Sequence, residues 1–220
     1  MAWFTRFNRF GDMHFLYGQE KGMNCGPACV LMCVAKINKI SPNQAIYYED
    51  QVREMYNKLT GDRDSGDKNG TGPEGLVSVL NRLNCGRWSS EKVASTDASD
   101  KIMEAVGTSS VFRGPIVDVN PVIVAVDWDG GGAHWVVIDT VRTINGKNFA
   151  TICDPWDANV HVEEIVSGKQ FVYIARAENR IDFAGTHHEY KGANKGPVQF
   201  TSGSTTSTGR LKIWPIIARL

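Results

Sequence analysis

The sequence has no uninterrupted run of about 18 apolar residues, so no segment reads as a transmembrane helix. It also lacks the apolar core of a signal peptide: Arg6 and Arg9 make the start basic, but Gly11-Asp12 arrive before any such core forms. The chain therefore reads as soluble and without a usual export signal. Neither charge is in excess, with 24 Lys and Arg against 24 Asp and Glu, which argues against nucleic acid or an anionic membrane as partner. The five cysteines are too few and too odd in number for a disulfide framework, and three of them, Cys25, Cys29 and Cys33, recur at helical spacing. Reduced thiols are the expectation. There is no internal repeat, and the one low-complexity tract is 201–209. At 220 residues the chain suffices for one substantial domain that buries about 70% of its unfolded surface.

What the sequence does contain is a cysteine at the start of a helix. In Gly18-Gln19-Glu20-Lys21-Gly22-Met23-Asn24-Cys25-Gly26-Pro27-Ala28-Cys29, Pro27 marks a helix N-terminus, and a mostly apolar run without breakers follows to Ala35. A thiol attacks a carbonyl as thiolate, and a helix N-terminus beside a cationic imidazole favours that charge. Gln19, six residues earlier, has a side-chain N–H to set beside the Cys25 backbone N–H as a pair of oxyanion donors.

Two further groups complete the set. A loop, Gly130-Gly131-Gly132-Ala133, runs into a strand that opens with His134, and Cys153-Asp154-Pro155-Trp156 follows. Thiol, base and carboxylate are what nucleophilic acyl transfer needs, the carboxylate fixing the imidazole tautomer. Zinc is the sharp alternative for the Cys25, Cys29, Cys33 ladder, but a four-residue repeat on an apolar helix reads as core, and metal ligation would consume the nucleophile. His187-His188 lie in a polar stretch and read as solvated.

Gln19, Cys25-Gly26-Pro27-Ala28, His134-Trp135-Val136-Val137-Ile138 and Asp154-Pro155-Trp156 resemble the papain-like cysteine peptidases of bacteria, closest to the double-glycine leader peptidases of bacteriocin exporters and related secreted effector proteases. The likeness covers about residues 15–176. It implies an α+β, papain-like fold, in which a helical N-terminal part carrying the Cys helix packs on an antiparallel sheet carrying His and Asp. It implies Cys25 as nucleophile, His134 as base, Asp154 as orienter and Gln19 in the oxyanion hole. Gly26, Ala133 and Trp156 would line the substrate site, with Trp156 also shielding the His–Asp contact. No cofactor or metal is implied. The implied activity is a thiol protease, a hydrolase cutting a protein or peptide after small residues such as Gly-Gly. As a toxin-like effector it would stay in the cytosol or be exported by a signal-independent bacterial route into a target cell, with a cognate immunity or inhibitor protein as partner. The chain departs from the leader peptidases in having no exporter domain and a longer Cys-to-His segment of 109 positions. That length also argues against transglutaminase and cell-wall amidase folds. An amidase, deamidase or acyltransferase with the same triad, or an idle peptide-binding module, are the competing classes. Residues 1–177 form the expected peptidase domain and 178–220 a C-terminal extension with a β-hairpin in the same globule.

Periodicity orders the rest. Helices are expected at about 42–59, opening at Ser41-Pro42 and ending at Thr60-Gly61, from Pro73 with Leu76, Val79, Leu80 and Leu83 on one face, and near 99–107. The glycine-rich stretch 62–72 between the first two reads as a mobile loop, either a surface connection or the flank of a substrate groove. Strands are expected at 122–126, 134–142, 148–154 and 171–175, with a short helical crossing at Glu163-Glu164-Ile165-Val166. A hairpin tip at 201–209 would join strands 197–200 and 211–214.

The Asn145-Gly146 turn sets a geometric test. In a two-residue loop Ile144 pairs with Lys147, and His134 then faces the same side as Cys153 and Pro155, away from Asp154. In a three-residue loop Thr143 pairs with Lys147, and Asp154 opposes Val136, one diagonal step from the imidazole on the same face. The triad requires the second parity.

Overall fold

Alternation of buried side chains along the central strands gives the sheet two apolar faces, and helices cover both. The computed structural model describes residues 3–40, 44, 47–109, 120–128, 132–175, 207–210 and 215–220. Among these are four helices and eleven strands, an α+β arrangement built mainly on antiparallel pairing. No helix among the described residues is long and apolar enough to cross a membrane.

Helix α1 (Cys25–Ile37) begins at the thiol, as expected, and residues 25 to 35 are buried throughout. Pro27 is its third residue, still inside the turn whose N–H groups have no partner within the helix. Cys29 and Cys33 are unpaired thiols in the core. Helix α2 (Glu49–Thr60) starts later than the expected 42; Ser41-Pro42 lie outside the described residues. Its start is fixed at Tyr48, which is extended and whose N–H donates to Gln51 Oε1 at 3.0 Å. It stops at Gly61, whose φ of 78° only glycine adopts without strain. Helix α3 (Pro73–Arg82) buries Leu76, Val79, Leu80 and, just past its end, Leu83. Each such buried Leu or Val contributes about 2 kcal/mol. Helix α4 (Ala98–Val106) buries Ile102 and Val106.

Strands β1 (Trp3–Phe7) and β2 (Met13–Tyr17) form a hairpin of their own. The large sheet holds β3 (Trp88–Lys92), β4 (Thr108–Ser109), β5 (Val122–Trp128), β6 (Ala133–Ile144), β7 (Lys147–Asp154), β8 (Asn159–Ile165), β9 (Val172–Ala175), β10 (Ser207–Arg210) and β11 (Pro215–Arg219). Its main order is β3-β11-β5-β6-β7-β8. On one face Ile123, Ala125, Trp135, Val137 and Cys153 pack with α1 and α3; on the other Val122, Val124, Val136, Ile138 and Ile152 pack with α4.

Three expectations are corrected. Glu163-Glu164-Ile165 is not a helical crossing but the end of β8, paired with β7 from Asp154↔Asn159 to Asn148↔Ile165, with Val160, Val162 and Ile165 buried. Ser207–Gly209 is not hairpin tip but part of β10, which pairs with β9 and β5. The other expected hairpin residues, 197–206 and 211–214, and His187-His188 lie outside the described residues. The stretch 62–72 is tied down rather than loose. Arg53 donates to the Asp64 and Asn69 carbonyls and to the Asp62 carboxylate at 3.1 Å each, Asn57 Nδ2 donates to the Asp64 carbonyl at 2.7 Å, and the Gly72 N–H donates to the Tyr56 hydroxyl at 2.8 Å.

Candidate active site

The β6–β7 hairpin determines whether histidine and carboxylate meet. Asn145 and Gly146 have φ of 51° and 76°, the left-handed pair of a two-residue turn, and Ile144 pairs with Lys147. That is the parity expected to separate His134 from Asp154. The ladder then shifts: Thr140 pairs with Thr151, but Ile138 pairs with Ile152 and Val137 with Cys153. Asp139 is the extra residue of a β-bulge, and beyond it the strands run in the parity the triad requires. The register at the site is the one expected, but the device is a bulge within β6 rather than a longer loop.

Asp139 is held from two sides. Lys36 Nζ, at the end of α1, lies 2.7 Å from Asp139 Oδ1 and donates to its carbonyl at 2.5 Å; His14 Nδ1, from β2, lies 2.6 Å from Oδ2. Burial opposes the charge, but Lys36 and His14 hold the Asp139 carboxyl well below its usual range.

Beyond the bulge, His134 Nε2 lies 2.7 Å from Asp154 Oδ1, with Asp154 wholly buried. An ionised carboxylate only accepts, so Nε2 carries the proton and Nδ1 is left for the thiol. Burial pulls the His134 pKa down, yet the charge and hydrogen bond of Asp154, helped by charge and hydrogen bonding from Cys25, raise it to about 10. Burial likewise opposes ionisation of Asp154, and His134 overcomes it, so that its pKa is lowered. Both shifts favour an imidazolium–carboxylate pair. Trp156 meets the imidazole edge-on, centroids 6.4 Å apart, and its backbone N–H donates to Asp154 Oδ1 at 2.7 Å; Trp128 stacks on the ring at 5.6 Å. The pair is walled from water by two indoles.

Cys25 is the first residue of α1, so its N–H has no acceptor within the helix. Gly26 has no room for a side chain: a Cβ there would overlap Thr71 Oγ1 and crowd Leu76. Gln19 is buried in the loop before Cys25, and its own N–H donates to the Pro155 carbonyl at 2.8 Å, joining that loop to the Asp154 turn. Its side-chain Nε2 donates to the carbonyls of Lys21 and Gly22, at 3.0 Å each. Both amide hydrogens are thus engaged within the loop. The loop is clamped from below by Glu49, which accepts from the N–H groups of Glu20 and Lys21 at 2.7 and 3.1 Å and from Asn24 Nδ2 at 2.7 Å. The stretch 62–72 abuts the start of α1: Met23 N–H donates to the Gly66 carbonyl at 3.0 Å, and Trp135 Nε1 to the Thr71 carbonyl at 2.9 Å. Gly22, Met23 and Ala133 are exposed along the rim.

Cys25, His134, Asp154, Gln19, Gly26 and Trp156 therefore meet in one place, with Ala133 beside them. Four contributors were not read from the sequence. Trp128 lies two residues past the expected strand, and Tyr173, inside an expected strand, donates its hydroxyl to Asp154 Oδ2 at 2.6 Å. Glu49 and Asp139 fall inside an expected helix and an expected strand, with no local signal for the partners they meet. Two groups bring three metal-type ligand atoms within 4.8 Å of one another, His14 with Asp139 and Cys153, and Asp154 with Asp157 and His161. In both, protein donors already meet the carboxylates: Lys36 in the first, the His134 and His161 imidazoles in the second.

No protein-family model matches the chain, and no characterised protein matches it in sequence.

Proposed function

We infer that the chain is a cysteine endopeptidase of papain-like build. The observation that carries this reading is the buried His134–Asp154 pair held beside a thiol at the first position of a buried helix. Cys25 thiolate attacks the peptide carbonyl, and the new C–S bond pushes the π electrons onto oxygen, where the Cys25 N–H receives the charge. Gln19 joins it if one amide hydrogen leaves Lys21 or Gly22 for the oxyanion. Collapse of the adduct breaks the C–N bond, and His134 gives the Nδ1 proton to the leaving amine. His134, now neutral, takes a proton from water, whose hydroxyl displaces the thiolate and restores imidazolium. Asp154 stays ionised throughout, and the exposed rim of Gly22, Met23 and Ala133 takes the substrate chain. Preference for small residues such as Gly-Gly, export as an effector and an immunity-type inhibitor extend the proposal from the resemblance.

The test compares a proteome treated with the protein against one treated with Cys25→Ala, by sequencing new N-termini. New N-termini made only by the wild type are expected. Identical N-termini, with glutamine side chains deamidated or cross-linked by the wild type, would replace proteolysis with amidase or acyltransferase chemistry.

A further inference from the structure

Asp154 is bonded on both oxygens, and its orientation does not need both. Oδ1 accepts from His134 Nε2 and from the Trp156 N–H, each at 2.7 Å, and these two bonds already fix the carboxylate plane. Oδ2, on the side away from His134, accepts from the Tyr173 hydroxyl at 2.6 Å. Behind Tyr173 stands a second Asp–His pair: His161 Nε2 lies 2.8 Å from Asp157 Oδ2, and the His161 and Tyr173 rings meet edge-on at 5.1 Å. His161 is wholly buried and touches no substrate. A buried ion pair is weak evidence for stability, since its desolvation cost rivals its attraction. Its placement within 4.8 Å of the Asp154 carboxylate asks for another account.

The groups facing this cluster have opposed signs. His134 comes from β6, His161 and Glu163 from β8, Asp157 from the β7–β8 turn, and Arg6 from β1 faces Asp157. From α1 and β7 the thiols of Cys29 and Cys153 also feel Asp154, and burial pushes both well up; Cys25, at the head of α1, meets His134. Burial first, then the charges of Asp154 and Asp157, push the Tyr173 phenol well up, so it remains a neutral O–H that donates. Burial opposes the charge on His161, but Asp157 and Asp154 raise its pKa. Oδ2 of Asp154 thus faces a hydrogen-bond donor, with an imidazole behind it whose charged form both carboxylates favour.

We propose that Tyr173 and His161, the latter held by Asp157, are positioning residues acting through Asp154 as a counterweight: they take up part of its negative charge from the far side, so that His134 is held less tightly and can give its proton to the leaving amine. This rests on the reading of His134 and Asp154 as the working pair. A counterweight and a brace predict opposite signs. If Tyr173 only braced Asp154, its loss would weaken the contact to His134, and the imidazolium would lose its proton at lower pH. As a counterweight, its loss concentrates charge on Oδ1, and the imidazolium keeps its proton to higher pH.

The test is the pH profile of Cys25 alkylation by iodoacetamide, which needs no peptide substrate. The wild type should show two inflections, formation of the thiolate and, at higher pH, loss of the imidazolium proton. Tyr173→Phe should move the upper inflection up by about one unit, the worth of one hydrogen bond to a charged group. His161→Gln, which still donates to Asp157 but lacks the charge, should move it the same way by less. Should Tyr173→Phe fail to fold, a fluorinated tyrosine at 173 has the same shape and donates more strongly, and must move the inflection down. An unmoved inflection, or shifts of the opposite sign, overturn the counterweight while leaving the peptidase reading intact. A wild-type profile with a single inflection removes His134 as partner of Cys25 and takes both down.

Discussion

Ile138 stands opposite Ile152, one residue out of step with the pairing that leaves the Asn145-Gly146 turn. The mismatch lets a tight two-residue turn coexist with a histidine and an aspartate on one face. A two-residue slip-free ladder would send Asp154 to the other side of the sheet from His134. The extra residue, Asp139, is clasped by Lys36 and His14, so the end of α1 and the second strand both pin the point where the register changes.

Removing that clasp should be costly. Asp139→Ala leaves the mostly buried Lys36 ammonium without its carboxylate, and a loss of about 3 kcal/mol in unfolding free energy is expected from denaturant titration. The sign with pH is fixed by the lowered Asp139 pKa. Its contribution is present above the ordinary carboxylate value of about 3.9 and fades as pH falls through the lower folded value. The gap between wild type and Asp139→Ala should therefore be full at neutral pH and shrink in strong acid. A gap independent of pH would mean that the Asp139 charge does not stabilise the bulge.

How much of this could be read beforehand depends on how far apart the partners lie. The helix starting at Cys25 and the strands of His134 and Asp154 follow from local pattern, since Pro27 and alternating apolar residues act over a few positions; Asn145-Gly146 by itself gives the opposite parity, and the bulge at Asp139 that restores the required one has no local signal. The β1–β2 hairpin was missed because its inward residues include Arg6 and His14, which are buried only by virtue of partners far along the chain, such as Asp139 for His14. Glu163-Glu164 looked helical because their strand partners, Ala150 and Phe149, supply the order that local propensity lacks. Tyr173 was placed in a strand, but nothing near it in sequence says that its hydroxyl reaches Asp154.

Thiol chemistry separates Cys25 from the other cysteines. Burial pushes the pKa of Cys29, Cys33, Cys85 and Cys153 up, whereas Cys25 sits at a helix start against the His134 imidazolium. Iodoacetamide near neutral pH should label Cys25 well ahead of the other four, as read by mass spectrometry of the folded protein. Equal labelling of all five would remove Cys25 as nucleophile.

Glu49 gives a second pH signature, opposite in sign to that of Asp139. Burial raises its pKa from 4.5 to about 7, against the pull of the Asn24, Glu20 and Lys21 hydrogen bonds. A carboxyl whose folded value is raised contributes stability that is full below about pH 4.5 and is lost as pH rises through 7. On the order of 3 kcal/mol should disappear over that window. In Glu49→Gln, with no proton to lose, the melting temperature should not share this decline. Parallel pH curves for the two proteins would show that Glu49 titrates normally.

Gln19 has two claims on its amide, and kinetics can separate them. At rest both hydrogens go to the carbonyls of Lys21 and Gly22, which braces the loop in front of Cys25. If one of them turns to the oxyanion, it does so only in the transition state, and Gln19→Ala should lower kcat by about 10- to 1000-fold with little change in KM. Gln19→Glu should be at least as harmful, since a carboxylate has no N–H for the oxyanion and would face two carbonyl oxygens at hydrogen-bond distance. If Gln19→Ala instead lowers the melting temperature while kcat stays at the wild-type value, the amide is a loop brace, and the Cys25 N–H at the head of α1 meets the oxyanion without it.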